Sequence, residues 1–221
     1  MMSSMNVEQA RFNMIEQQVR PWDVLDPRVL DAMTQTPREL FVPATYSVLA
    51  FADISIPLAH EQVMLSPKVQ GRIAQSLLLD SNDTVLEIGT GNGYLTALLA
   101  KLADKVDSVD IFEEFTKTTA EKLHALGLNN VTLETGDAAN GWKQDKRYDV
   151  IALTGSLPLL KPYWQEQLKI GGRLFAIVGE SPIMQARVIT RLSDKEWMTD
   201  YIFETDIPAL LNAPQPSRFV L

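Results

Sequence analysis

From Thr84 onward, apolar residues fall in short runs separated by amphipathic stretches. The runs Thr84–Ile88, Val106–Asp110, Val131–Glu134, Asp149–Thr154 and Arg173–Val178 have the length and β-branched content of buried strands. Helical spacing intervenes near Tyr94–Leu102, Glu113–Leu126 and Pro162–Leu168. Such alternation predicts a parallel sheet covered on both faces. Two further strand patterns, Ala186–Leu192 and Trp197–Glu204, are separated only by Ser193-Asp194-Lys195-Glu196, which suits an antiparallel hairpin. The expected architecture is therefore α/β: a Rossmann-like, mostly parallel, doubly wound sheet with an antiparallel C-terminal hairpin.

Upstream the pattern is helical and then irregular. Val7, Phe12, Ile15 and Val19 recur at helical spacing across Asn6–Val19, Asn6 and Gln9 resemble a capping pair, and Arg20-Pro21 ends the segment. Asp26-Pro27 supplies an N-cap and an N1 proline for a second short helix with Val29, Leu30 and Met33, stopped before Pro37. This N-terminal helical extension reads as a small lid or appendage. Between Phe41 and Pro67 neither period holds, yet the segment is hydrophobic enough to be ordered, and a long irregular stretch of that kind is commonly functional. Ser66 before Pro67, followed by Val69, Ile73 and Leu77, reads as the N-cap of a third helix. Residues 1–66 are expected to form one domain with 67–221, and the proline-rich tail from Ile207 to Leu221 is expected to pack on it.

With 221 residues, 46% hydrophobic and 22% charged, the chain has the makings of one large folded domain. A net charge of −8 repels a phosphate backbone, so no nucleic-acid partner is expected. The absence of cysteine excludes disulfides, a thiolate nucleophile and a cysteine zinc site, and no metal site is expected. The first residues lack a secretory pattern and no apolar run approaches the roughly 20 residues that span a bilayer, so a cytoplasmic location without membrane contact is expected.

The chemistry concentrates in Glu87-Ile88-Gly89-Thr90-Gly91-Asn92-Gly93, where glycines follow an apolar strand and open a helix, letting a ligand approach the backbone. The spacing is Gly-x-Gly-x-Gly, whereas dinucleotide folds use Gly-x-Gly-x-x-Gly against a pyrophosphate. Glu87 would disfavour a pyrophosphate but favour a ligand carrying an ammonium and a sulfonium. Asp110 ends the next strand, 17 residues beyond Gly93, and with Ile111 is placed to hold a ribose. The third strand leads to Asp137-Ala138, where the carboxylate can accept from an adenine amino group and the amide can donate to the ring. These residues point to S-adenosyl-L-methionine, held by Glu87, Gly89, Thr90, Gly91, Asn92, Gly93, Asp110, Ile111, Asp137 and Ala138. The glycine spacing disfavours a nicotinamide dehydrogenase.

Along nearly its whole length the chain resembles the protein-L-isoaspartate O-methyltransferase family. The resemblance is carried by Asp26-Pro-Arg-Val-Leu-Asp-Ala-Met33, Pro37-Arg-Glu-Leu-Phe-Val-Pro43, Ala50-Phe-Ala-Asp53, Glu87 to Tyr94, Gly136-Asp137, Tyr148-Asp-Val-Ile151 and Gln167-Leu-Lys-Ile-Gly-Gly-Arg-Leu174. It implies a class I methyltransferase fold and methylation of isoaspartyl carboxylates in damaged peptides or proteins. The family's acceptor loop reads approximately Ala-Tyr-x-Asp-x-Pro-Leu-Pro-Ile-Gly-x-Gly-Gln-Thr-Ile-Ser-x-Pro, with its serine associated with catalysis. Here the ungapped counterpart runs from Ala50 to Pro67, so Leu65 stands at the serine position and Ser66 one place later. Asp53, His60 and Gln62 match the loop and, with Ser66, are the acceptor-side candidates that the resemblance implies. Two other readings stay open: a methyltransferase of the same fold with a different acceptor, for which Asp53 or His60 would serve as base, and a cofactor-binding module without catalysis. The oligomeric state is open.

Overall fold

The computed structural model describes residues 4–143 and 145–217. Helix α1 (Ser4–Met14) runs on through a π turn at Ile15–Val19 and a 3-10 turn at Arg20–Trp22. Asn6 lies inside this helix and is not its cap; Gln9 instead donates to Asn13 at 2.9 Å, one turn ahead. Helix α2 (Pro27–Gln35) starts as its sequence predicts, with Asp26 Oδ1 accepting from the Arg28 amide at 2.9 Å.

The irregular stretch is ordered into 3-10 turns and a two-residue ladder, β1 (Ile56–Pro57) against β2 (Val63–Met64), antiparallel. Helix α3 (Pro67–Ser76) follows. Ser66 holds its N-cap position with an extended backbone, but the hydroxyl makes no capping hydrogen bond, so the residue does not cap as expected.

The remainder is β3 (Thr84–Ile88), α4 (Tyr94–Leu102), β4 (Lys105–Asp110), α5 (Glu113–Ala125), β5 (Val131–Thr135), β6 (Tyr148–Leu157), α6 (Tyr163–Glu166), β7 (Leu168–Glu180), β8 (Ile183–Arg191) and β9 (Trp197–Thr205). The seven strands β3 to β9 form one sheet in the order β5-β4-β3-β6-β7-β8-β9. Pairing is parallel from β5 to β7 and antiparallel for β7–β8 and β8–β9. After β3 the chain builds outward to one side, then returns after β5 to build the other. That reversal places the topological switch between β3 and β6, where open α/β sheets bind ligands at the carboxyl ends of the strands.

The sheet is buried on both faces, but unequally. Val85, Val150, Ala152, Phe175 and Ile177 point into a large cluster that includes residues of α1 to α5, whereas Leu86, Ile151, Leu153, Leu174 and Ala176 point into a smaller one. The second face is covered by the one-turn α6, anchored by fully buried Trp164, together with loop residues. The helix expected over Pro162–Leu168 is this short because Leu168 already pairs with Tyr148, leaving little chain for turns. The tail packs on the same side: Ser156 exchanges hydrogen bonds with Pro208 and Leu210, and Ala213 is buried. Arg218 to Leu221, the end of the tail expected to pack, lie outside the described residues.

One buried cation organises the irregular segment. Arg38 is 0% exposed, and no salt bridge forms to its guanidinium among the described residues. Nε donates to the Ala50 carbonyl at 2.9 Å, Nη2 to the Leu65 carbonyl at 2.9 Å, and Nη1 to the Gln70 side-chain oxygen. The guanidinium carbon lies 5.0 Å from the Tyr94 ring centroid. Burial lowers its pKa to about 10, so it stays charged at neutral pH. Arg38→Ala should lower unfolding free energy by about 3 kcal/mol in urea titrations, because three buried acceptors lose a charged donor. Arg38→Lys should recover less than half, since an ammonium cannot reproduce the planar fork.

Candidate active site

A crevice opens beyond the carboxyl ends of the central strands, where α/β sheets bind small molecules. Its floor is Ile88 and Gly89 at the end of β3, Asp110 and Ile111 at the end of β4, and Asp137 and Ala138 after β5. Thr154 and Gly155 of β6 close one side. The roof comes from Gln62, Val63 and Leu65 of the acceptor loop and from Ile207, Pro208 and Leu210 of the tail.

The glycine turn needs its glycines for two reasons. Gly89 has φ +98°, and a Cβ there would come within 2.3 Å of Thr154 Oγ1. Gly91, at φ +52°, would meet only Leu58 at 3.8 Å, so its demand is a left-handed backbone that leaves the crevice side bare.

Asp110 is 8% exposed and locks this turn to β4: Oδ2 accepts from the Gly91 amide at 2.8 Å and Oδ1 from the Phe112 amide at 3.0 Å. Burial raises its pKa against the lowering effect of those amides. Each oxygen keeps a further lone pair for a ribose hydroxyl. Asp137 has both oxygens engaged, Oδ1 by the Ala139 amide at 3.0 Å and Oδ2 by Asn212 of the tail at 2.8 Å. The tail therefore takes up part of its accepting capacity.

Glu87 does something other than its sequence position suggests. It does not line the crevice but is 0% exposed beneath it, with Oε2 accepting from Thr96 and Ser108 at 2.6 Å each. Its Oε1 has no partner, and burial pushes the carboxyl up to about 7. Thr90, Asn92 and Gly93 likewise support the turn from outside the crevice. Thr90 bonds Ser108 at 2.7 Å, Asn92 donates to the Phe41 carbonyl at 3.0 Å, and a Cβ on Gly93 would strike Thr119 at 2.5 Å.

The four acceptor-side candidates separate. Gln62 lines the crevice and donates to the His60 carbonyl at 2.9 Å. His60 stacks on Phe112 with centroids 3.9 Å apart, and its Nε2 is 3.1 Å from Glu114, so it fastens the loop to α5 without lining the crevice. Glu61, standing where the family loop has glycine, takes φ 58°. Asp53 pairs with Lys68 at 2.6 Å and, with Ser66, lines a second cavity beyond Leu65. Sequence reasoning missed Arg38, Phe112, Thr154 and the tail residues of the roof. The apolar Ile207-Pro-Ala-Leu-Leu211 run was the one available signal for the last of these.

The crevice can hold S-adenosyl-L-methionine. Among the described residues no Lys, Arg or His lines it, and its ionisable lining groups are Asp110 and Asp137. Two carboxylates in a low-dielectric cleft favour a cationic ligand and oppose a pyrophosphate.

Fold and crevice together define a Rossmann-like methyltransferase. The family model for protein-L-isoaspartate(D-aspartate) O-methyltransferase matches residues 9–207, and the chain belongs to that family. A protein-L-isoaspartate O-methyltransferase from Syntrophus aciditrophicus is 38% identical over 187 residues, covering 85% of this chain and 86% of the relative. One from Rhodopseudomonas palustris is 36% identical over 210 residues, covering 92% and 96%. In fold, the chain is similar to a Plasmodium falciparum structure assigned to the same enzymes and solved with S-adenosyl-L-homocysteine. The TM-score is 0.77 at 16% identity, with 92% and 97% of the two chains covered.

Asp110→Ala should weaken S-adenosylhomocysteine binding by about 1–3 kcal/mol in calorimetric titration; unchanged affinity would reject the ribose role. For Glu87 the pH sign follows from its raised pKa. Below the ordinary 4.5 both folded and unfolded chains hold the proton, and above about 7 the folded chain carries a buried carboxylate that the unfolded chain carries in water. The parent therefore loses stability from this group as pH rises from 4.5 through 7. Glu87→Gln should gain on the parent across that window by up to about 3 kcal/mol, read as the difference between urea midpoints at its two ends.

Proposed function

We propose that this protein transfers a methyl group from S-adenosyl-L-methionine to the free carboxylate of isoaspartyl residues in peptides or proteins. The observation that carries the reading is a cation-free crevice at the sheet switch, with Asp110 and Asp137 as its charged lining groups, in a chain that belongs to this family over residues 9–207. When bound, the cofactor supplies an electrophilic methyl group on a sulfonium.

The chain's own work is positioning. Asp110 would hold the ribose, Asp137 with Ala138 the adenine, and the bare backbone of Gly89 and Gly91 would admit the amino-acid portion. With the cofactor bound, the crevice would present the acceptor carboxylate to that methyl carbon. No proton moves, because a carboxylate with a pKa near about 4 is ionised at neutral pH. A general base is unnecessary, which supports a carboxyl acceptor beside Leu65, where the family has serine.

We further infer that residues 1–66 belong to the same domain as the rest, supported by a core cluster that runs from Met14 to Ile207. Among the described residues no helix is long and apolar enough to cross a membrane. A cytoplasmic setting is part of the proposal, supported by the cysteine-free composition. Labelled methyl transfer to an isoaspartyl peptide should exceed that to its aspartyl counterpart on the order of a hundredfold. Equal rates on the two peptides would sink this reading.

A further inference from the structure

Part of the crevice roof belongs to a small arm, residues 56–64, whose β1–β2 ladder stands apart from the main sheet. A hairpin so short is not stable by itself, so the arm depends on what it touches. Its base is anchored by Ile56 and Met64, both buried in the larger core cluster. Its tip, Ala59–Glu61, is exposed. There His60 and Glu61 take consecutive left-handed conformations, at φ 56° and 58°, which any residue with a Cβ resists. Two backbone bonds close the turn, from the Leu58 amide to the Gln62 carbonyl at 2.8 Å and from the Gln62 amide to the Ala59 carbonyl at 3.1 Å.

The tip leans on the turn that follows β4. The His60 ring lies 7° from parallel to Phe112 at 3.9 Å, meets Phe115 edge-on at 5.7 Å, and its Nε2 reaches Glu114 at 3.1 Å. Phe112 and Phe115 also meet edge-on, and both line the crevice. The Phe112 amide donates to Asp110, the carboxylate proposed for the ribose. On the other flank, Leu58 comes within 3.8 Å of where a Cβ on Gly91 would stand. The arm therefore rests on both turns that border the cofactor crevice. Gln62 and Val63 line the crevice from this arm, and the Gln62 side chain is fixed by its bond to the His60 carbonyl.

We propose that His60 is a positioning residue that latches the arm over bound S-adenosyl-L-methionine and so couples the cofactor to the acceptor side of the crevice. A ligand in the crevice meets Gln62 and Val63 only while the arm is down, so its binding favours that state. The same ligand braces Phe112 and Phe115 from within, giving the His60 ring a fixed face to stack on. Without the latch the strained tip relaxes, and the roof loses its register with Asp110. The acceptor named in the last test rests on the function proposed above, whereas the latch itself needs only the cofactor.

Two measurements with S-adenosylhomocysteine test the latch directly. The ligand should slow hydrogen exchange at the Leu58 and Gln62 amides about tenfold in the parent and less than about twofold in His60→Ala. His60→Phe, which keeps the stack, should recover most of that slowing. Release of S-adenosylhomocysteine, followed by stopped-flow displacement, should quicken about tenfold in His60→Ala and stay within about threefold of the parent in His60→Phe. Exchange at these amides that ignores the ligand in the parent, or parental release from His60→Ala, overturns the latch.

With isoaspartyl peptide and saturating S-adenosyl-L-methionine, His60→Ala should raise the acceptor KM about tenfold while kcat falls less than about threefold, and His60→Phe should recover the parental KM. A variant that merely folds poorly would lower kcat for want of active enzyme and leave KM alone, and that pattern also overturns the proposal. If the parent methylates no isoaspartyl peptide, the proposed function fails, and exchange and release still decide the latch.

Discussion

The Arg38 guanidinium is the fastening on which both halves of the site depend. A buried cation without a counter-ion costs several kcal/mol in desolvation, and it is tolerated only where its N–H groups are met. Here they are met by Ala50 and Leu65, the two ends of the acceptor loop, and by Gln70 of α3. Three residues on, the Phe41 carbonyl accepts from Asn92 of the glycine turn, and the Phe41 ring meets Tyr94 edge-on at 5.5 Å. One short segment therefore clamps the acceptor side through Arg38 and the cofactor side through Phe41. Their relative placement is set by a rigid piece of chain, as an in-line transfer requires.

The crevice owes its preference for a cation as much to what is missing as to what is present. With no basic side chain among the described lining residues, the fields of Asp110 and Asp137 go unopposed. Glu87 contributes differently. Buried beneath the turn and pushed up to about 7, it is partly protonated near neutrality, and its bonds to Thr96 and Ser108 tie α4 and β4 to β3. Its role is to brace the turn that presents Gly89 and Gly91.

How far this was legible from sequence depended on whether a decision is local. Strands β3, β4, β5 and β6 are runs whose burial follows from their own composition. The length of α6 is decided elsewhere, by where Leu168 pairs with Tyr148. Asp110 and Asp137 were readable because they stand at strand ends, where topology leaves one side open. Glu87 was not, because Val85, Leu86 and Ile88 are all buried and a doubly covered strand has no polar period to show which way its acid points. Ser66 illustrates a finer limit: Ser before Pro identifies the cap position, but the residue sits there without a capping hydrogen bond, which the dipeptide does not reveal. Arg38 carried no local mark of burial, since its acceptors lie 12 to 32 residues away.

The shared lining of the two cavities by Leu65 and Ile207 bears on how a leucine can occupy a position that the family gives to serine. Leu65 is 6% exposed and Ile207 6% exposed, and both are shared by crevice and second cavity. A methyl group passing from sulfur to oxygen is itself apolar, and the displacement needs the nucleophile on the axis opposite the leaving sulfur. Apolar side chains lining the crevice exclude water, which is both a competing nucleophile and a solvent for the carboxylate. A hydroxyl at position 65 would orient the acceptor directly. Leu65 gives up that contact, so orientation must come from other polar groups. Arg38 holds the Leu65 carbonyl and thereby fixes where that apolar side chain stands.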